Sequence, residues 1–460
     1  MSLIKSISGT RGTIGGKVGD NLTPIDIVSH TSAYGYRLLQ SGATPKVVLG
    51  RDARISGDMV RNLVAATLQG LGISVVDLDL STTPTVAMAV PNEKAGGGII
   101  ITASHNPKQW NALKFLNEKG EFLSGAAGQE ILDIAEKGNI EFADIESLGT
   151  YERNDTYIAW HIEEILKLPL VDVEAVKAKG FKVVVDAVNS TGAISLPPLL
   201  KALGCEVIVI NGEVNGRFAH NPEPKREHLV GLAQKVTSEG AHLGMAVDPD
   251  VDRLAFMSED GEMFGEEYTL VAVADYILKH TPGDTVSNLS STRALRDVTE
   301  KSGHKHHASA VGEVNVVAMM KEVNAPIGGE GNGGIIYPEL HYGRDALVGA
   351  ALFLSHLAHF GKPVSFLRNS YPNYIISKNK IELSPKLDLD RVFEKLKEKY
   401  SQQPQNTVDG LKIEFDKDWI HLRKSNTEPI IRIYAESKSE VMSDNLVNKI
   451  KSDISELIRG

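Results

Sequence analysis

Short β-branched runs alternate with amphipathic helical stretches along most of this 460-residue chain, and that alternation limits its fold more than any other feature. Residues 46–50 (KVVLG) and 73–79 (ISVVDLD) read as buried strands, and GRDARISG follows the first as a loop. Between them Val60, Leu63, Val64, Leu68 and Leu71 recur at helical spacing over 57–71. GGGIIITASHNP is a further strand running into a polar loop. The pattern returns as a strand at 181–186, a helix at 193–203, a strand at 205–211 and a strand at 241–247 entering DPDVDR. A helix at 268–280 follows, then a strand-like approach near 325 to GGEGNGG. Strands alternating with helices predict α/β units, and no short period suggests a solenoid. After residue 363 the pattern changes to IISKNKIEL, a helix-like 389–400, the turn-rich SQQPQNTVDG, WIHLRKSNTEPIIRIYAES and a helix at 439–458. This predicts a smaller α+β unit. Boundaries near 150, 255 and 365 divide the chain into 1–150, 151–255, 256–365 and 366–460. The expected fold class is therefore α/β with four domains, three alike and one smaller at the C-terminal end.

Composition narrows the function classes. With 42% hydrophobic and 23% charged residues the chain is globular rather than disordered. Its 59 acidic and 49 basic residues give a net charge of −10, which works against a broad nucleic-acid surface but allows a local pocket for a small anion. One cysteine, Cys205, excludes an intrachain disulfide and a cysteine-based zinc site, and fits a reducing compartment. The opening MSLIKSISGTRG lacks the pattern of a signal peptide, and no run approaches the ~20 apolar residues of a membrane span. The expectation is a cytoplasmic protein acting on a small molecule, with no nucleic-acid or membrane partner and no oligomeric state assigned.

Four loops carry chemistry. Thr102-Ala103-Ser104-His105-Asn106-Pro107 sets a serine at the end of a strand, where open α/β sheets bind ligands; such a serine is a potential nucleophile or phosphoryl carrier, and equally part of an ordinary polar turn. Asp248-Pro249-Asp250-Val251-Asp252-Arg253 spaces three carboxylates at every second residue. In an extended segment these point the same way and suit Mg²⁺, although aspartates also favour plain turns. The segment is not an EF-hand, since Arg253 stands where that loop needs glycine. Five glycines in Gly328-Gly329-Glu330-Gly331-Asn332-Gly333-Gly334 permit close backbone approach, with Glu330 and Asn332 offering hydrogen bonds suited to sugar hydroxyls; the alternative is a flexible turn. The cluster fits neither a dinucleotide fingerprint nor a P-loop. Arg423-Lys424-Ser425-Asn426-Thr427-Glu428-Pro429, with Arg432 beyond, has the groups of a phosphate cradle or of a hairpin tip. Arg11, Arg51 and Arg54 add positive charge around the serine loop. His304, His306 and His307 read as an exposed loop, with no carboxylate or cysteine at metal-ligand spacing.

Taken together the four loops resemble those of the α-D-phosphohexomutase family, in the family's order, at 104, 248, 330 and 425. The resemblance covers essentially the whole chain. It implies four domains around a cleft and interconversion of hexose 6-phosphates and 1-phosphates through phospho-Ser104 and a sugar 1,6-bisphosphate, which also serves as activator. It implies Mg²⁺ held by Asp248, Asp250, Asp252 and the phosphoserine, with Arg253, Lys114, Arg11 and His105 as catalytic groups. Glu330 and Asn332 would bind the sugar, and Arg423, Ser425, Asn426, Thr427 and Arg432 the distal phosphate. Overall likeness favours glucosamine 6-phosphate, ahead of mannose and glucose phosphates. The sugar loop departs from the Ser-Gly-His common among the amino-sugar enzymes, having Asn332-Gly333-Gly334 instead. Asp248-x-Asp250-Val251 after an apolar strand also resembles an aspartyl-phosphatase motif, with Asp248 as nucleophile. That reading leaves Ser104 and the 423–432 segment without a role.

Overall fold

The computed structural model describes residues 2–6, 9–382, 389–424 and 430–459, and among them the strands form four sheets. In the first sheet Ser74–Leu80, Lys46–Arg51 and Gly97–Ile101 run parallel in that spatial order, and Trp110–Leu116 returns antiparallel beside Gly97–Ile101. The second sheet has the same arrangement. Glu206–Ile210, Lys182–Asp186 and Leu243–Val247 are parallel, and Leu254–Ser258 is antiparallel. So has the third, with His306–Ser309, Thr285–Asn288, Ile327–Glu330 and the antiparallel Gly334–Ile336. In each, the first strand of the unit lies between the second and third, and the fourth closes a hairpin. The first sheet is extended by Gly9–Thr13 and Ile4–Ser6 at one edge and Tyr151–Arg153 at the other. The fourth sheet is wholly antiparallel and carries the helices Leu389–Lys399 and Glu440–Arg459.

This recurrence gives the sequence motifs their positions. TASHNP, DPDVDR and the glycine cluster each occupy the same link, from the third parallel strand to the antiparallel fourth. Each loop therefore leaves the carboxyl end of a parallel strand, where an open α/β sheet leaves backbone groups free for a ligand. Why these strands are central is plain from their residues. Val47, Val48, Leu49, Ile99, Ile100 and Ile101 are buried on both faces, as a parallel strand covered by helices must be. Helix ends follow local chemistry: Thr23 and Asp26 form a reciprocal cap on Pro24–Gln40, and Asp345 caps Ala346–Phe360.

The second and third units share one core. Phe256, from the second sheet, stacks on Phe353 of the Ala346–Phe360 helix at 3.7 Å between ring centroids, and Phe264 packs edge-on against both. The first and fourth sheets have cores of their own. Among the described residues no helix is long and apolar enough to cross a membrane.

The 304–307 segment is not a loop throughout. His306 and His307 begin a strand paired with Thr285–Asn288, and Asp284, distant in sequence, sits 2.8 Å from His307 Nε2. The carboxylate missing at short spacing is supplied across the sheet.

Candidate active site

Ser104 sits in a turn that the chain holds firmly. Its φ is +47°, a left-handed value uncommon away from glycine, and the residue is buried. Its N–H donates to Thr102 Oγ1 at 2.9 Å, and Thr102 Oγ1 donates to Asp52 Oδ2 at 2.7 Å. Arg54, fully buried, pairs with Asp52 and donates to the carbonyls of Ser104, Asn106, Pro107 and Trp110. Arg54 thus clamps the loop from behind rather than offering charge to a ligand. Arg51 is likewise committed, to Asp58 and Asp79 at 2.9 Å each. The positive charge expected from these two arginines is spent within the first unit.

Ser104 Oγ donates to Asp248 Oδ2 at 2.7 Å, joining the first and second units. Asp250 Oδ2 accepts from Lys114 Nζ at 2.8 Å and from Thr83 Oγ1 at 2.5 Å, both from the first unit. Burial opposes ionisation of Asp250, but Lys114 and Thr83 outweigh it and hold the carboxyl below its usual range. Asp248 has only the more distant Arg253 Nε, 4.0 Å from its Oδ2. Burial, then Asp252 and Asp250, push its carboxyl well above the ordinary value. The three carboxylates offer oxygens within 4.8 Å of one another. Asp250 Oδ1 and Asp252 Oδ1 are buried with no hydrogen-bond donor among the described residues. Hard oxygen ligands, mutual repulsion and orphaned acceptors fit a divalent cation of the Mg²⁺ type.

Cations surround the serine. Arg253 Nη1 reaches Glu223 Oε1 at 3.4 Å, while its buried Nε lies 3.9–4.0 Å from Asp252 and Asp248 without a hydrogen bond. Arg11 is held below its usual range by burial and then by the positive charge of Arg253. His105 Nδ1 is 3.4 Å from Ser104 Oγ; burial, Arg253 and Arg11 keep its ring neutral far below its usual range. Cations crowded against each other make a place for an anion.

Glu330 ends its strand and is buried, accepting from Asn288 Nδ2 at 2.8 Å and from Gly312 N at 3.3 Å. Asn332 Oδ1 accepts from Gly334 N and shapes the turn. Gly329, at φ +157°, could not carry a Cβ, which would stand 2.1 Å from Gly334 O. In the fourth sheet Arg423 and Arg432 are cross-strand partners at the mouth of a hairpin. Arg423 Nε is 2.8 Å from Asp409 Oδ2, which offsets part of the repulsion, so Arg432 is the member of the pair that most favours an anion. Ser425, Asn426 and Thr427 lie outside the described residues.

Sequence reasoning missed Arg344. Its guanidinium reaches Asp252 Oδ2 at 2.6 Å, Glu330 Oε2 at 2.9 Å and Glu313 Oε2 at 2.9 Å, tying the second unit's aspartate loop to the third unit's glycine loop. Only its place before the helix-capping Asp345 marked it, and that signal reads as structural. Thr83 was missed for the same reason: its partner Asp250 is 167 residues away.

The sequence matches, in order, the alpha/beta/alpha domains I, II and III and the C-terminal domain of phosphoglucomutase/phosphomannomutase, over residues 5–141, 159–261, 265–374 and 381–452. The chain belongs to the α-D-phosphohexomutase family. The enzyme is 36% identical to a phosphoglucomutase/phosphomannomutase of Thermococcus kodakarensis, across 93% of this chain and 94% of that one. It is 34% identical to a phosphoglucosamine/phosphogalactosamine mutase of Sulfurisphaera tokodaii, across 96% and 98%. A solved phosphoglucomutase/phosphomannomutase family protein of Burkholderia thailandensis superposes with a TM-score of 0.86 at 26% identity, covering 99% of this chain and 98% of that one. The enzyme is accordingly a mutase, an isomerase of hexose phosphates, with the four-domain architecture of its family.

Proposed function

We propose that the enzyme interconverts hexose 6-phosphates and 1-phosphates through phospho-Ser104 and a 1,6-bisphosphate, with glucosamine 6-phosphate as preferred substrate and mannose and glucose phosphates as runners-up. The observation that carries the reading is the 2.7 Å contact of Ser104 Oγ with Asp248 across two units, at the edge of the converging Asp248, Asp250 and Asp252 carboxylates. Likeness to the Sulfurisphaera tokodaii amino-sugar mutase supports the amino sugar, and likeness to the Thermococcus kodakarensis enzyme supports the alternative. The division near 150, 255 and 365 belongs to the same reading; the sheets span 4–153, 182–258, 285–336 and 375–437, which moves the first two limits past Arg153 and Ser258. A cytoplasmic location is also part of it, in keeping with the single cysteine.

The mechanism follows from the groups at hand. Mg²⁺ held by Asp248, Asp250, Asp252 and phospho-Ser104 would neutralise charge on the phosphoryl oxygens. Arg423 and Arg432, with 425–427 completing the cradle, take the phosphate that does not react. Glu330 and Asn332 orient the sugar so that its free hydroxyl faces phospho-Ser104. As the new O–P bond forms and the P–Oγ bond breaks, Arg11 and Arg253 stabilise the transferring group, and the sugar hydroxyl's proton passes to Lys114 as the neutral amine. The bisphosphate then turns over and returns its other phosphoryl group to Ser104. Exclusion of water while the cleft is closed protects the phosphoserine from hydrolysis.

Phosphorus NMR with Mg²⁺ and a catalytic amount of sugar bisphosphate tests the reading. Glucosamine, mannose and glucose 6-phosphates are offered separately. The largest kcat/KM is expected for glucosamine 6-phosphate. A preference for a neutral hexose overturns the substrate assignment, and net release of inorganic phosphate without isomerisation overturns the mutase mechanism in favour of a nucleophilic Asp248.

A further inference from the structure

One residue beyond Arg344 in the chain, Asp345 meets two histidines from separate elements. His161 is fully buried in the helix Tyr157–Leu166, and Asp345 is fully buried at the cap of Ala346–Phe360. His341 comes from the preceding loop with its side chain 13% exposed. His161 Nε2 lies 2.9 Å and His341 Nε2 3.2 Å from the same atom, Asp345 Oδ2, and all three donor atoms are within 4.8 Å of one another.

We infer that His161, His341 and Asp345 form a second metal site, selective for a borderline transition ion such as Zn²⁺ and separate from the all-oxygen site at Asp248, Asp250 and Asp252. Three arguments carry this. The donor set is two imidazoles and a carboxylate, the composition of three-ligand zinc sites, whereas Mg²⁺ prefers oxygen. With metal bonds of about 2.0–2.1 Å a tetrahedral ion sets its ligand atoms about 3.3 Å apart, close to the two separations found. The supporting shell is also in place. His161 Nδ1 faces Thr85 Oγ1 at 2.9 Å, so an Nδ1–H donated there directs the Nε2 lone pair toward the ion. Asp345 Oδ1 is occupied by Leu347 N and Val348 N, which leaves Oδ2 as the ligand. A Cβ at Gly343 would stand 2.9 Å from Cε1 and Nδ1 of the His341 ring, so the ring's position depends on that glycine.

A fourth ligand comes from solvent or a small anion. His341 lines a cavity of about 530 Å³ together with Trp160, Glu164, Lys119 and Lys167. The site would pin three helices, Thr83–Asn92 through Thr85, Tyr157–Leu166 and Ala346–Phe360. It neighbours the catalytic cluster twice over, since Arg344 precedes Asp345 and Thr83 is two residues from Thr85.

Co²⁺ is the probe. The whole chain, stripped with chelator and then held in saturating Mg²⁺ to fill the oxygen site, is titrated with Co²⁺ and followed by visible absorption. One equivalent with the intense bands of four-coordinate cobalt is expected. Asp250→Asn is expected to keep this site, Thr85→Val to weaken it about 10- to 100-fold as loss of an outer partner does, and His341→Ala to weaken it more. His161 is buried, so His341→Ala, at the cavity wall, is the variant that tests ligation in a folded protein, with circular dichroism as the control. In chelated, Mg²⁺-supplemented buffer His341→Ala is expected to keep mutase turnover. X-ray absorption of the zinc-loaded wild type is expected to show two imidazoles. No Co²⁺ bound in saturating Mg²⁺, unaltered affinity in His341→Ala, or an oxygen-only shell each overturns the site.

Discussion

In the proposed mechanism Ser104 is the reactant, whereas Arg344 ties the loops of two units together, and substitution separates the two roles. Ser104→Ala removes the proposed phosphoryl carrier and leaves its neighbours standing. Turnover is expected to fall by about 10⁴-fold or more, the scale on which loss of a covalent nucleophile acts, with intact mass showing no added phosphate and circular dichroism unaltered. Arg344→Gln strips three buried carboxylates, Asp252, Glu313 and Glu330, of their shared cation. Removing one partner from such a buried network costs about 3–5 kcal/mol, so urea unfolding is expected to shift to lower midpoint as activity falls. Wild-type stability in Arg344→Gln would show that the carboxylates find other partners. The contrast also explains what could be read early. Ser104 lies in a contiguous motif with its own chemistry, whereas the three acids on Arg344 come from positions 252, 313 and 330.

Helices and strands were legible from their periodicity, with ends shifted by a residue or two. The strand expected at 205–211 is Glu206–Ile210, and the helix expected at 193–203 is Gly192–Ala202. The 304–307 stretch was misjudged because its polar residues hide a strand whose partners, Thr285–Asn288, lie some twenty positions back. Two elements each bury a neutral histidine. His30, in Pro24–Gln40, is held down to about 4 by burial and then Lys5. His421, in Trp419–Lys424, is also held down to about 4, by burial foremost, and its Nδ1 is 2.9 Å from Ser290 Oγ in the neighbouring unit. An unfolded histidine protonates near 6.5, so between about 6.5 and 4 the unfolded chain binds more protons. The stability these groups contribute is complete above pH 6.5 and is lost as pH falls through that window, by about 3 kcal/mol for each. Urea midpoints are expected to drop across pH 6.5 to 4, and His30→Leu or His421→Gln to flatten the drop. An acid limb of unaltered slope in both would assign the lability elsewhere.

At the scale of the molecule, one strand order used three times aims three equivalent loops at a single cleft, and two paired inner strands of the fourth sheet set two arginines opposite one another near their hairpin end. The second and third units are nonetheless one body energetically, because Phe353 packs on Phe256 and Phe264 in a shared core. Phe353→Ala is expected to cost about 3–5 kcal/mol. Hydrogen exchange should then rise together in Leu243–Val247 and in the helix Glu266–His280, with the first and fourth sheets protected as before. Independent exchange of the two would mean that their shared apolar surface contributes little to cooperativity.

What was readable without coordinates is short-range: the 3.6- and 2-residue periods, the four motifs, and carboxylates spaced two apart along one segment. Such features depend only on neighbours in the chain, so they survive in the bare sequence. Tertiary structure alone decided that Ser104 meets Asp248, that Arg54 is a clamp and not a ligand for anions, that Arg344 ties Asp252 to Glu330, and that His161, His341 and Asp345 converge. Those contacts depend on how three sheets are oriented by their packed helices. No residue's own preference encodes that orientation; it emerges from the burial of many apolar side chains at once.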